Sequence, residues 1–548
     1  MIKKWLTVLL FIPLFFTHQG FGQSETTILS RPKLIVGIVV DQMRWDYLYR
    51  YYNRYGDGGF KRMLNQGFSC ENTLINYLPS NTAVGHACIF TGSVPSINGI
   101  TGNNWTDLLT GAQVYCTEDS TVQSVGASTA EGKMSPRNLL VSTVTDELRV
   151  ATNFQSRVVG ISLKDRAAIL PAGHTANAAF WLDDASGNFI SSTYYMNQLP
   201  DWAEKYNRDK NIGWLISDGW TTLYPIGTYA ESDADNQPYE GKLNGELMPV
   251  FPHDVKAAYA KDHASVRSTP FGNTLTLDFA RAALDGYQLG RGPSTDFLTI
   301  NCASTDYVGH LFGPNSIEAE DTYLRLDKDL ASFFSYLDSK IGKDQYLVFL
   351  TADHGSGNAV GYMRKHRIPA DFFSSKTIVD TLNKQILEKF GIEKGILSAE
   401  NYQINFDNDR IAAAKADIRE VKALVVDFLK KQPGVNYAVD LDQLQNAVIP
   451  EPIKTMVTNG YNYKRSGQVE VVFAPGWLES YVQTGATHGS WNPYDTHVPL
   501  VFMGWNIHPG SSNTTVHMTD IAPTIAALLH IQMPNGCIGT PITDVLKK

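Results

Sequence analysis

Four apolar, β-branched runs recur along the chain, at residues 34–40, 158–163, 297–302 and 346–351. Their hydrophobicity is continuous instead of alternating, which marks strands buried on both faces of a parallel sheet. Helical segments separate them. Residues 315–337 carry Ile317, Leu324, Leu330, Phe333, Phe334 and Leu337 at helical spacing, and residues 521–529 follow a helix-capping Asp520 with Pro523 in the first turn. This alternation predicts an α/β fold, a doubly wound, mostly parallel sheet flanked by helices. Residues 497–503 add a further strand near the C-terminus.

Two stretches interrupt the rhythm, at about 175–290 and 356–480. The first opens with a hairpin over 180–190 and continues as an irregular section rich in Trp, Tyr and Pro. The second holds amphipathic helices near 377–390 and 412–431, then a strand at 468–473. Core-type strands lie on both sides of each stretch. Both therefore read as cap insertions within one catalytic domain spanning 23–548.

The N-terminus reads as a secretory signal: Lys3 and Lys4, an apolar run from Trp5 to Phe16, and a small-x-small site at Gly20, Phe21 and Gly22. The run is shorter than the roughly 20 apolar residues of a membrane span. Residues 1–22 are expected to be removed, leaving a periplasmic or secreted protein with no span in the mature chain. A formal charge of −9 excludes the basic field that nucleic acid polymers or acidic membranes attract. It is compatible with a small phosphorylated substrate, because local cations or metals reverse the field inside one cleft. Cys70, Cys88, Cys116, Cys302 and Cys537 form no Cys-x-x-Cys pair. Up to two disulfides are open to them, and metal ligands must come from His and Asp.

The apolar runs end in such residues. The first leads to Asp41, the third to Asp306 and His310, and the fourth to Asp353 and His354; His488 precedes the last strand. An Asp after a strand is usually a turn or helix cap, and a lone buried His is usually hydrogen-bonded core. Three carboxylates and three imidazoles gathered outside the carboxyl ends of parallel strands are a different matter, since both donor types suit zinc. Ser80, Asn81 and Thr82 stand where a helix begins. A hydroxyl there is either an N-cap or, facing a metal, a nucleophile beside N–H groups that favour an anionic phosphoryl group.

The order Asp41, Asn81-Thr82, residues 99–104, Asp306, His310, Asp353-His354 and His488, closing in the helix at 519–529, resembles the alkaline phosphatase superfamily. Specifically, it resembles the branch with a threonine nucleophile, which includes nucleotide pyrophosphatase/phosphodiesterases and PafA-type bacterial alkaline phosphatases. The resemblance implies two zinc ions per chain, one held by Asp306, His310 and His488, the other by Asp41, Asp353 and His354. Thr82 would then be both ligand and nucleophile. Lys164 and Arg166 read in isolation as surface cations, but with Asn103 they resemble the trio of PafA-type monoesterases. A dianionic monoester presents a nonbridging oxygen that such cations and donors can hold, where a diester carries a substituent.

The resemblance thus implies a zinc-dependent hydrolase of small-molecule phosphate monoesters, releasing inorganic phosphate through a phosphothreonine. The alternative is a phosphodiesterase or nucleotide pyrophosphatase with the same bimetallic site. A surface protein with a purely structural metal site would need no reactive hydroxyl. No acids suggest a third, magnesium site, and the Cys-x-Pro-x-Arg segment of sulfatases is missing. Phosphoglycerate mutases that share the metal pattern are cytoplasmic, which fits an exported chain poorly. Nothing in the sequence sets an oligomeric state.

Overall fold

The continuous apolar runs form the middle of a ten-stranded sheet. In a computed structural model describing residues 30–209, 212–480 and 482–547, its strands in chain order are β1 (Leu34–Val40), β2 (Phe68–Cys70), β3 (Ser124–Val125), β4 (Val158–Ile161), β5 (Ala178–Asp183), β6 (Asn188–Ser192), β7 (Asp296–Cys302), β8 (Tyr346–Thr351), β9 (Leu500–Gly504) and β10 (Gly510–Ser512). Across the sheet they run β10-β2-β9-β8-β1-β7-β4-β5-β6-β3. The expected signal segment, residues 1–22, lies outside the described residues.

The five neighbours β8, β1, β7, β4 and β5 are mutually parallel and buried at every position. With helices over both faces no position along these strands meets water, so no polar alternation is written into them. The edges turn antiparallel: β9 pairs with β8 and β6 with β5. The strand expected over 497–503 is broken. His497–Val498 pairs with Thr73–Leu74 in a separate three-stranded sheet, and Pro499, which has no N–H for a ladder bond, separates it from β9.

Six helices matter to the site: α1 (Thr82–Thr91), α2 (Asp165–Ala172), α3 (Phe271–Gly286), α4 (Ser304–Phe312), α5 (Ile317–Lys340) and α6 (Ile521–Leu529). α5 starts at Ser316, whose hydroxyl accepts the Ala319 N–H at 3.1 Å, and its apolar stripe from Leu324 to Leu337 is buried. Asp520 does not cap α6. The helical path already begins at Met518, so its carboxylate accepts the N–H groups of His517 and Thr540 instead.

The two interrupting stretches differ. Near its start the first supplies β5 and β6, which extend the central sheet, and its later part includes α3, packed on β7. The apolar run of β5 explains this, since it satisfies the same two-sided burial as β4. The second holds its own antiparallel sheet, in the order Ile396–Glu400, Gln403–Phe406, Val469–Phe473, Val435–Asp440. Helices Ser375–Phe390 and Ile418–Leu429 close a separate core there around Leu382, Ile386, Val421 and Val425. All five cysteines are free, four of them buried singly, so neither disulfide open to the sequence forms. Among the described residues no helix is long and apolar enough to cross a membrane.

Leu350, fully buried in β8, tests the central packing. Leu350→Ala should cost about 2–5 kcal/mol in denaturant unfolding, whereas Leu397→Ala, at a 42% exposed position of the inserted sheet, should change stability little.

Candidate active site

Four adjacent parallel strands deliver the site. β1 pairs Val40 with Cys302 of β7 and Val39 with Thr351 of β8, so their carboxyl ends are level. Asp41 follows β1 directly, Asp353 stands two residues beyond β8, and Asp306 lies in the first turn of α4 after β7. Lys164 comes from the turn after β4, where the Ser162 hydroxyl accepts its N–H at 2.8 Å. All four side chains are buried. This is the crevice that an open α/β sheet offers a ligand.

Asp306, His310 and His488 place their ligand atoms within 4.8 Å of one another, and so do Asp41, Asp306 and His354. Asp306 therefore belongs to both groups. Asp353 stands beside the second, its Oδ2 3.4 Å from His354 Nε2. Each imidazole turns Nδ1 to a backbone carbonyl: His310 to Ala486 at 2.8 Å, His354 to Gly355 at 3.0 Å, His488 to Ser80 at 2.7 Å. A carbonyl can only accept, so Nδ1 carries a hydrogen in each ring and Nε2 is the nitrogen turned to the carboxylates.

Where such a ring is neutral, its Nε2 lone pair and a carboxylate repel unless a cation lies between them. Asp41 Oδ1, 3.7 Å from His354 Nε2, and Asp353 Oδ2 are buried with no hydrogen-bond partner among the described residues. Oxygen and imidazole nitrogen donors in such groups suit zinc. The residues thus fit the metal that the sequence resemblance implies.

Lys164 is the cation that the chain itself supplies. Its Nζ reaches Asp306 Oδ2 at 2.6 Å and Asp41 Oδ2 at 2.9 Å. Burial disfavours its charge, but Asp306 and Asp41 outweigh burial and raise its pKa. Burial and the neighbouring Asp353 push Asp41 well above the carboxylate range. Burial also pushes Asp306 upward, yet His310 and Lys164 pull it well below that range. His488 is lowered by burial and by His354, stacked on it at 3.4 Å between ring centroids.

Thr82 opens α1, a helix buried along its whole length. Asn81 precedes it without a side-chain capping bond, and the Ser80 hydroxyl donates to the Ser490 carbonyl at 3.1 Å. The Thr82 hydroxyl is left 3.4 Å from His354 Nε2 and 3.5 Å from Lys164 Nζ. Asn103 braces the same turn, its Oδ1 accepting the Ala83 N–H at 3.0 Å. Arg166 stands one step out: Nη1 donates to Tyr115 Oη at 3.1 Å, and its buried Nε has no hydrogen-bond partner among the described residues. The residues expected from the sequence thus converge, Arg166 at the margin.

Several supports carried no sequence signal. Gln42 donates its amide to Asp306 Oδ1 at 2.7 Å and its N–H to Asp353 Oδ1 at 3.2 Å, from a left-handed backbone at φ +64. Asn301 donates to Asp41 Oδ2 at 3.2 Å. Glycines were the available clue. A Cβ on Gly309, inside α4, would stand 1.9 Å from Gln42 Oε1, and one on Gly85, inside α1, 2.4 Å from the Asp353 carbonyl.

Comparison with known proteins identifies the family. The pattern of the family "Type I phosphodiesterase / nucleotide pyrophosphatase" matches residues 35–495. Alkaline phosphatase PafA of Elizabethkingia meningoseptica is 53% identical over 546 residues, covering 99% of each chain. Alkaline phosphatase PhoV of Synechococcus elongatus is 53% identical over 519 residues, 95% of this chain and 94% of the relative. The crystal structure of wild-type alkaline phosphatase PafA superposes with a TM-score of 0.93 at 54% identity, covering 95% of this chain and 100% of that one. Sequence, fold and converging residues together establish that the chain belongs to the type I phosphodiesterase/nucleotide pyrophosphatase family, as an enzyme of the PafA-type alkaline phosphatase kind.

Proposed function

We propose that the enzyme cleaves small phosphate monoesters through a phosphothreonine at Thr82, with two zinc ions. One would be held by Asp306, His310 and His488, the other by Asp41, Asp353 and His354, with Thr82 as a further ligand. Bound there, the ions supply Lewis-acid charge that favours the Thr82 alkoxide and the departing ester oxygen. The observation that carries the reading is the Thr82 hydroxyl, uncommitted to capping at the start of a buried helix and set between the Lys164 ammonium and the His354 ring.

In the first half-reaction Thr82 Oγ1 bonds to phosphorus as the ester P–O bond breaks, and the leaving oxygen departs as the alcohol. In the second, water attacks phosphorus, the Thr82 oxygen leaves with a proton, and orthophosphate is released. The α1 N-terminus directs its N–H groups toward the phosphoryl oxygens. Asn103, with Oδ1 engaged on Ala83, keeps its NH2 group as a donor. Lys164 stands beside Thr82, and Arg166 Nε, without a partner among the described residues, offers another charged donor. These cations favour the dianionic monoester over a diester, which supports phosphatase over phosphodiesterase action. The signal-like segment 1–22 supports export to the periplasm or medium, where the exported chain would begin near residue 23.

Removing the metal with a chelator should abolish turnover, and metal analysis of active protein should find about two zinc ions per chain. Thr82→Ala should abolish both hydrolysis and the acid-trapped phosphoenzyme, whereas Thr82→Ser keeps appreciable activity because its oxygen survives. Ser80→Ala should do far less, since the Ser80 hydroxyl is bonded to Ser490.

Lys164→Ala combined with Arg166→Ala should lower kcat/KM for monoesters by orders of magnitude and for diesters much less. Equal losses on both would assign the pair to metal binding or folding and remove the case for monoester preference.

A further inference from the structure

One turn of the inserted sheet reaches the active-site loops directly. Strands Ile396–Glu400 and Gln403–Phe406 are joined by a two-residue turn, Asn401 and Tyr402. Both are left-handed, at φ +53 and +63, as the twist of so short a hairpin demands. Glycine ordinarily fills such positions; Asn tolerates them and a bulky ring seldom does. Both side chains are committed to active-site loops.

Asn401 sits on Gly102, where a Cβ would stand 2.3 Å from its Nδ2. Its Oδ1 accepts from Asn81 Nδ2 at 3.2 Å, and its Nδ2 donates to the Asn104 carbonyl at 2.7 Å. Asn81 immediately precedes Thr82, and Asn104 immediately follows Asn103. The Tyr402 hydroxyl donates to the His488 carbonyl at 2.6 Å. Its ring lies over Gly489, where a Cβ would come 2.5 Å from Cε2, and meets Phe473 edge-on at 5.2 Å. Gly489 is itself held at φ +119. One rigid tip thus grips the neighbours of the nucleophile and of Asn103, and the backbone of a metal-site histidine, from three segments far apart in sequence.

We propose that Asn401 and Tyr402 are positioning residues for phosphoryl transfer. Asn401 sets Thr82 against Asn103, and Tyr402 sets His488 against Asp306. The inserted sheet is then part of the catalytic apparatus, which explains why a two-residue turn keeps Asn and Tyr where glycine would be easier. The inference rests on the reading of Thr82, Asn103 and His488 given above.

The full-length protein carrying Asn401→Gly or Tyr402→Phe tests it on a phosphate monoester, with Thr82→Ala alongside. Glycine keeps the left-handed turn and Phe keeps the ring, so thermal melting should stay close to the parent. Each should lower kcat/KM by about tenfold or more, the scale of losing an orienting contact at such a site. Asn401→Gly combined with Asn81→Ala should lose less than the product of the two single losses, because both cut the same hydrogen bond. Tyr402→Phe should release bound metal at a several-fold lower chelator concentration, read by elemental analysis. Activity within about twofold of the parent in both variants, or fully multiplicative losses at Asn401 and Asn81, would overturn the proposal. An active Thr82→Ala would instead overturn the reading of the site, so the two failures are distinct.

Discussion

Three carboxylates share one buried crevice, and most of the site is arranged around the repulsion this creates. Ligand oxygens of Asp41 and Asp306 lie within 4.8 Å of each other. Burial and this crowding together push Asp41 well above the carboxylate range. Lys164 offsets some of the repulsion, bridging Asp306 and Asp41. Gln42 and Asn301 contribute neutral donors. Among the described residues Asp41 Oδ1 and Asp353 Oδ2 still have no hydrogen-bond partner, and three imidazole Nε2 atoms face the same space. That residue of uncompensated negative charge is the demand a metal would meet.

Such crowding is tolerable only on a rigid frame. The parallel strands β8, β1, β7 and β4 end side by side, and their burial on both faces holds those ends in place. Asp41, Asp306, Asp353 and His354 inherit this precision because each lies within a few residues of a strand end, whereas His310 rides on α4 and His488 on a loop. Second supports follow from close approach: Gly309 lets Gln42 reach over α4, and Gly85 lets α1 lie against the Asp353 backbone. A larger residue at Gly85 would collide with the Asp353 backbone, and one at Gly309 would displace the Gln42 amide from Asp306.

The nucleophile segment obeys the same economy of space. Ser80, Asn81 and Thr82 all stand at the start of α1, but only Thr82 keeps its hydroxyl clear of backbone partners. Its surroundings come from four remote stretches: Lys164 after β4, His354 after β8, Asn103 beside the turn, and the inserted hairpin behind Asn81. The inserted sheet meets these segments through its Asn401–Tyr402 turn and through Val439 and Val472 packed with Leu78, although it keeps a core of its own.

The buried parallel strands were legible because two-sided burial leaves an unbroken apolar run in the sequence. Asp41, Asp306, Asp353 and His354 were legible as candidates because such residues soon after an apolar run must lie near the carboxyl edge of the sheet, whereas His488 was drawn in as a ligand only by the family resemblance. The Pro499 break, the extension of the sheet by β5 and β6, and the role of Asp520 ahead of α6 were not, because each depends on which neighbour a segment meets. Gln42, Asn301, Asn401 and Tyr402 were equally hidden: an amide or phenol has no distinctive spacing, and its meaning comes from the partner it reaches across the fold. The sequence by itself determined the strands, the donor types and their order along the chain, since local burial and chemistry act through nearest residues. Only the tertiary structure decided that Asp306 belongs to both ligand groups, that Lys164 bridges two carboxylates, and that a distant hairpin reaches Asn81 beside Thr82. Those are consequences of distances between segments hundreds of residues apart, which no local pattern carries.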